Sequence, residues 1–181
     1  MIPFWKNHRV FGVCAVLFYL SHCVYWFTHG RPENMLWACH TGSLLIGIGI
    51  FFKRPAFFYI GFFWLGLGFP IWVLYLSSGG EFIFTSFLTH AGGMLAALFF
   101  LRTFHPPRLA WVRAFFALVV LHLISRFTPP LENVNLAHRV GDGWNGIFPD
   151  FRLYLLFMAS VAAASFLLLE FLAKRVSASN K

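Results

Sequence analysis

Six apolar runs divide this chain: Val10 to Phe27, Asn34 to Phe52, Ala56 to Ser77, Phe82 to Leu101, Leu109 to Phe127 and Leu153 to Ala173. A helix rises about 1.5 Å per residue, so about 20 residues cross the roughly 30 Å of hydrocarbon in a bilayer. Each run is long enough to cross once, and none is long enough to cross twice. The pattern predicts an all-α, polytopic membrane bundle of about six transmembrane helices, with residues 1–181 as a single membrane domain. Composition agrees, because 59% of the residues are apolar and 11% charged, too few ionisable groups to coat a water-soluble globule.

Lys and Arg set the expected orientation, since short loops rich in them stay in the cytoplasm during insertion. One side of the alternating topology receives Lys6, Arg9, Lys53, Arg54, Arg102, Arg108, Lys174, Arg175 and Lys181. The other receives Arg31, Arg126, Arg139 and Arg152 together with Glu33, Glu81, Glu132, Asp142 and Asp150. Both termini are therefore expected in the cytoplasm, as in a multi-pass protein of a bacterial plasma membrane. The formal charge of +8 is scattered in short clusters at the ends of apolar runs, a topological pattern that excludes nucleic acid and leaves membrane lipids as the expected partner. Cys14, Cys23 and Cys39 all fall inside apolar runs and read as thiols, not as a disulfide framework.

Short turns at Gly30 to Pro32, Lys53 to Pro55, Ser77 to Gly80 and His105 to Pro107 make successive helices antiparallel neighbours. The longer outer segment 128–152 carries Trp144, Phe148 and Phe151, whose rings favour the membrane interface, and it reads as a lid. An internal echo links Cys39-His40-Thr41-Gly42-Ser43 to Thr89-His90-Ala91-Gly92-Gly93, fifty positions apart and each followed by a basic turn with proline. A parallel repeat of helices 2–3 and 4–5 would set His40 and His90 face to face, with the small residues after each histidine letting the backbones approach. Coincidence in an apolar sequence is the alternative.

Hydrocarbon penalises polar groups, so histidines inside a span mark a site. His22, His40, His90 and His122 share one depth band, roughly 6 to 12 Å below the outer surface at about 1.5 Å per residue. A cysteine beside a histidine can become a thiolate nucleophile, because imidazole takes the proton. Cys39 with His90 is the favoured pair, with His40 orienting substrate and Asn135 or a backbone N–H stabilising an oxyanion. Imidazole and thiolate also bind zinc, copper and iron, so a metal or haem held through His22, His40, His90 and His122 is a second reading. The plainer alternatives are interhelical hydrogen bonds of about 1 kcal/mol for the histidines and small apolar packing for the cysteines, which suits Cys14.

Several short elements carry a family likeness. They are Ser21-His22 late in the first helix, Leu36-Trp37-Ala38-Cys39-His40 opening the second, Phe63-Trp64-Leu65-Gly66-Leu67-Gly68 in the third, Phe87-Leu88-Thr89-His90 in the fourth and Asn133-Val134-Asn135 after the fifth. In this outline the chain resembles bacterial six-helix integral-membrane proteins related to a eukaryotic transmembrane acyltransferase that moves acyl chains between phospholipids. The resemblance implies an acyl-accepting cysteine and a fourth-helix histidine as its base, roles that fall on Cys39 and His90. Where the family places His before Leu-Cys, this chain has Cys39 directly followed by His40.

Three functions are carried forward. The first is intramembrane acyl transfer or lipid-ester hydrolysis at an outward-facing Cys/His site. The second is an accessory subunit of a larger membrane complex, its phenylalanine-rich faces packed on neighbouring subunits, cofactors or pigments. The third is a metal or haem binder.

Overall fold

The computed structural model describes residues 7–141 and 143–178, so Lys6, Asp142 and Lys181, which entered the charge pattern above, lie outside the described residues. Among the described residues the fold is all-helical, with no strand. Six helices follow in chain order: α1 (His8–Thr28), α2 (Ala38–Phe51), α3 (Pro55–Ser77), α4 (Phe84–Phe100), α5 (Ala110–Ser125) and α6 (Phe151–Ala178). Helices α1, α3 and α6 are long and apolar enough to cross a membrane, and the other three are shorter apolar helices.

One boundary differs from the apolar pattern in a way that matters. The second run begins at Asn34, yet α2 begins at Ala38. Pro32 opens a separate 3₁₀ turn, Pro32–Leu36, and Trp37 is extended with φ −53° and ψ 135°. The chain therefore turns sharply before the helix starts, and α2 is only 14 residues long.

The bundle is apolar outside as well as inside. Val24, Leu74, Leu95, Phe116 and Leu156, from five different helices, are each more than 60% exposed. A girdle of that extent fits acyl chains rather than water. Helix α2 alone has no exposed residue and is enclosed by α1, α3 and α4.

Glycine makes that enclosure possible. A Cβ at Gly61 would stand 2.4 Å from the Gly42 carbonyl oxygen, and one at Gly47 would stand 2.8 Å from that of Gly12. With no hydrophobic drive between helices in lipid, such close backbone approach is a main source of association. A dry core of Ile46, Ile50, Phe58, Phe63, Leu65 and Phe166, all fully buried, fills the half of the bundle nearer the α2–α3 turn. Glu170 ties α6 to α5 at the same end, accepting a 2.8 Å hydrogen bond from the Trp111 N–H and pairing with Lys174. This carboxylate fills the capping place that the start of α5 lacks locally.

The two helix pairs of the expected repeat pack differently. Helices α2 and α3 lie closely against each other, whereas α5 packs on α3 and α6. The echo does match one local contact, since a Cβ at Gly93 would stand 2.8 Å from Ser43 Oγ. In the 128–152 segment, Val134, Ala137 and Val140 are buried. Trp144 and Phe148 stack on Phe157 of α6, with centroids 5.7 and 5.1 Å away.

Gly61→Val should lower the melting temperature in detergent or prevent folding, since overpacking costs about 1–3 kcal/mol and here the obstacle is backbone. Gly146→Ala, whose new Cβ meets nothing within 4 Å, should leave it unchanged. Circular dichroism melts of the two purified variants test the contrast.

Candidate functional site

Three of the four histidines within the apolar helices meet. The His22 and His40 ring centroids are 4.2 Å apart and those of His40 and His90 are 5.2 Å apart, both pairs edge to face. All three residues are buried, with exposures of 1%, 6% and 2%. Cys39 joins them, because its Sγ and one ring nitrogen each from His40 and His90 all lie within 4.8 Å of one another.

The hydrogen bonds assign different capacities to the three rings. His90 places Nδ1 2.9 Å from the Ser86 carbonyl oxygen, with Ser86 Oγ at 3.2 Å. His40 places Nδ1 2.9 Å from the Asn34 carbonyl oxygen. A carbonyl only accepts, so each Nδ1 carries the proton and each Nε2 keeps its lone pair. In His22 the Trp26 Nε1–H donates to Nε2 at 2.9 Å, and Nδ1 lies 2.9 Å from Thr85 Oγ1. Both of its nitrogens are engaged, and it serves as a wall against which His40 packs.

Each ring has a local structural reason for its position. His22 and Trp26 are four apart on α1 and share a face. His90 sits in the π turn Leu88–Gly92 of α4, a local widening that recurs at functional sites, and the Trp72 indole stacks on it at 4.8 Å and 7°. Cys39 and His40 stand in the first turn of α2, so the sharp entry at Trp37 aims them both. Gly68 of α3 leaves room for the thiol, since a Cβ there would be 2.6 Å from Cys39 Cβ.

Asn135 holds that entry in place. Its Oδ1 accepts from the Ala38 N–H at 2.8 Å, and its Nδ2 donates to the Leu36 carbonyl and to Ser125 Oγ, each at 2.9 Å. It supplies from a distant loop the oxygen that an N-cap side chain normally gives. Its amide is thus spent on the backbone, and it enters the site as a positioning residue. The asparagine is left-handed at φ 52°, a conformation its side chain tolerates. His122 stands apart from the ring cluster, with Nδ1 3.1 Å from the Asn135 carbonyl oxygen, and so supports the same loop.

Two contributors escaped the sequence reading. Asn34 was placed inside an apolar run, yet besides orienting His40 it donates through Nδ2 to Glu132 at 2.8 Å and accepts from Trp37 Nε1 at 2.9 Å. Arg31 completes the clamp, with Nε 3.5 Å from Glu132. The spacing of Asn34 and Trp37 just after a proline was the available signal. Trp26 is the other, legible from its four-residue separation from His22.

Asn135→Ala should lower stability by about 1–3 kcal/mol, the usual cost of orphaned buried backbone groups. It should also speed amide exchange at Cys39 to Thr41. Mass-spectrometric hydrogen exchange on the purified variant measures both the site and the size of the change.

Comparison with protein-family models, with curated proteins and with solved structures gives no match for this chain.

Proposed function

We propose that this protein is a multi-pass membrane enzyme that moves or hydrolyses lipid acyl chains through an acyl-cysteine at Cys39. The observation that carries the reading is a thiol and a ring nitrogen of His90 brought within 4.8 Å inside an otherwise apolar bundle, with His90 Nδ1 committed to the Ser86 carbonyl so that Nε2 keeps its lone pair. A nucleophile, a base and a third group that orients the base form the general pattern of covalent acyl chemistry. The likeness of the short elements around His22, Cys39, Gly66 and His90 to the phospholipid acyltransferase outline supports the same assignment.

In the proposed cycle, Sγ attacks the ester carbonyl of a phospholipid while His90 Nε2 takes the thiol proton. The backbone N–H of Cys39, in the first turn of α2, steadies the oxyanion. Collapse breaks the ester C–O bond, and the imidazolium returns its proton to the departing lysolipid hydroxyl. A second lipid hydroxyl, or water, then attacks the thioester with His90 again as base, and the thiol is regenerated. His40, in edge contact with both neighbouring rings, keeps the acyl carbonyl in register.

We place the cluster toward the outer leaflet, with both termini in the cytoplasm of a bacterial plasma membrane. Arg9, Lys53, Arg54, Arg102, Arg108, Lys174 and Arg175 mark one end of the helices, and Arg31, Arg126, Arg139 and Arg152 with Glu33, Glu81, Glu132 and Asp150 mark the other. The three shorter helices complete six crossings when their flanking turns sit in the headgroup layer. A membrane-impermeant maleimide should label a cysteine introduced at Ser78 in intact cells and leave one at Arg102 unlabelled until the membrane is opened; the reverse pattern rejects this orientation.

Incubation of the purified protein with a phospholipid bearing an alkyne-tagged acyl chain should give a label released by neutral hydroxylamine. Cys39→Ala should abolish it, and His90→Ala should slow its appearance by about 10²–10⁴-fold. A hydroxylamine-labile label that persists in Cys39→Ala overturns the mechanism.

A further inference from the structure

The geometry points to a binding site for one borderline transition-metal ion of the Zn²⁺ class, held by Cys39 Sγ, His40 Nε2 and His90 Nε2. Three independent features converge on it. Cys39 Sγ and one ring nitrogen each of His40 and His90 already lie within 4.8 Å of one another, so bonds of about 2.0–2.3 Å need them to draw in by only about 1 Å. Both imidazoles carry the outer contact typical of metal ligands, an Nδ1–H donated to a backbone carbonyl, at Asn34 and at Ser86. That contact fixes the tautomer and leaves the lone pair on Nε2. The donor set is one sulfur and two imidazole nitrogens with no carboxylate, which selects zinc-like or copper-like ions over Mg²⁺ or Ca²⁺.

The same bonds say which histidines take no part. His22 has a donor on Nε2 and a hydroxyl partner on Nδ1, so it offers no lone pair. His122 makes the same kind of Nδ1 contact, to the Asn135 carbonyl oxygen, but is not among the ligand atoms that gather within 4.8 Å. The site is therefore not the four-histidine set of the sequence reading but a mixed thiolate and imidazole site with a fourth position for water or a substrate oxygen. On binding, the metal–sulfur bond replaces the S–H bond, and the thiol proton passes to solvent.

Such an ion would occupy the electron pairs that the acyl cycle uses, so the site doubles as an inhibitory switch. That regulatory half rests on the acyl-transfer reading, whereas the binding half does not.

Titration of the full-length protein in detergent with Co²⁺ should give a near-ultraviolet thiolate-to-cobalt band that saturates at one equivalent and is displaced by Zn²⁺. The band should survive Cys14→Ser and Cys23→Ser and vanish in Cys39→Ser. His40→Ala and His90→Ala should each weaken binding at least tenfold. His105→Ala, at an exposed turn, should not change it, and Asn34→Ala, which loosens the carbonyl behind His40, should weaken it by about 10-fold. Absence of the band in folded wild-type protein overturns the site whatever the variants do. So does a band that persists in Cys39→Ser. Because the band is read without turnover, a failed acylation assay leaves this result standing. Where acyl-cysteine does form, saturating Zn²⁺ should suppress it and EDTA restore it. Undiminished acylation at full metal occupancy overturns the regulatory half.

Discussion

The site depends on how the chain enters α2. The first turn of any helix has amide groups without intrahelical partners, and inside an apolar bundle there is little water to satisfy them. Here Asn135 reaches in from the segment after α5 and spans the break, bonding the Leu36 carbonyl on one side and the Ala38 N–H on the other. The turn before α2 can thus be abrupt without leaving polar backbone unpaired. That abruptness lets Cys39 and His40 leave the same turn in different directions while both stay within reach of His90.

The two ends of the bundle divide the work. Toward the α2–α3 turn the contacts are backbone on backbone through glycine, with fully buried apolar side chains between them. Such packing has almost no freedom to adjust. Toward the start of α2, hydrogen bonds join the glycine contacts and run from Arg31 and Glu132 through Asn34 to His40. Rigid packing at one end fixes the helix axes, and the polar chain at the other fixes ring orientation within that frame.

The sequence made the helices legible because length and hydropathy are properties of a segment by itself. The six runs coincide with six helices to within about five residues at their ends, and the late start of α2 arises from a turn closed by residues roughly a hundred positions away. That His22, His40 and His90 stand at one level of the bundle was legible for the same reason. That His22 joins the cluster and His122 does not was not legible, because position along a helix says nothing about its azimuth, and His122 bonds the loop beside it. The likeness of the segments around His40 and His90 captured two contacts, the His40 and His90 rings and Gly93 against Ser43, but not the packing of the fourth and fifth helices. Glu170, the one acidic residue inside the sixth apolar run, had a visible partner four residues later at Lys174, yet its bond to α5 could not be read without the fold.

The tautomers decide what the cluster can be. Had Trp26 been a residue without an N–H, His22 could have turned an Nε2 lone pair toward His40, and three equivalent imidazoles would have favoured a histidine-only site. Donation by the indole removes that option. It leaves two imidazole lone pairs and one sulfur, a set that can activate a thiol or share an ion but cannot do both at once. The half-buried position of Cys39 beside the two buried rings makes sulfur the member over which an acyl carbon and a metal ion would compete.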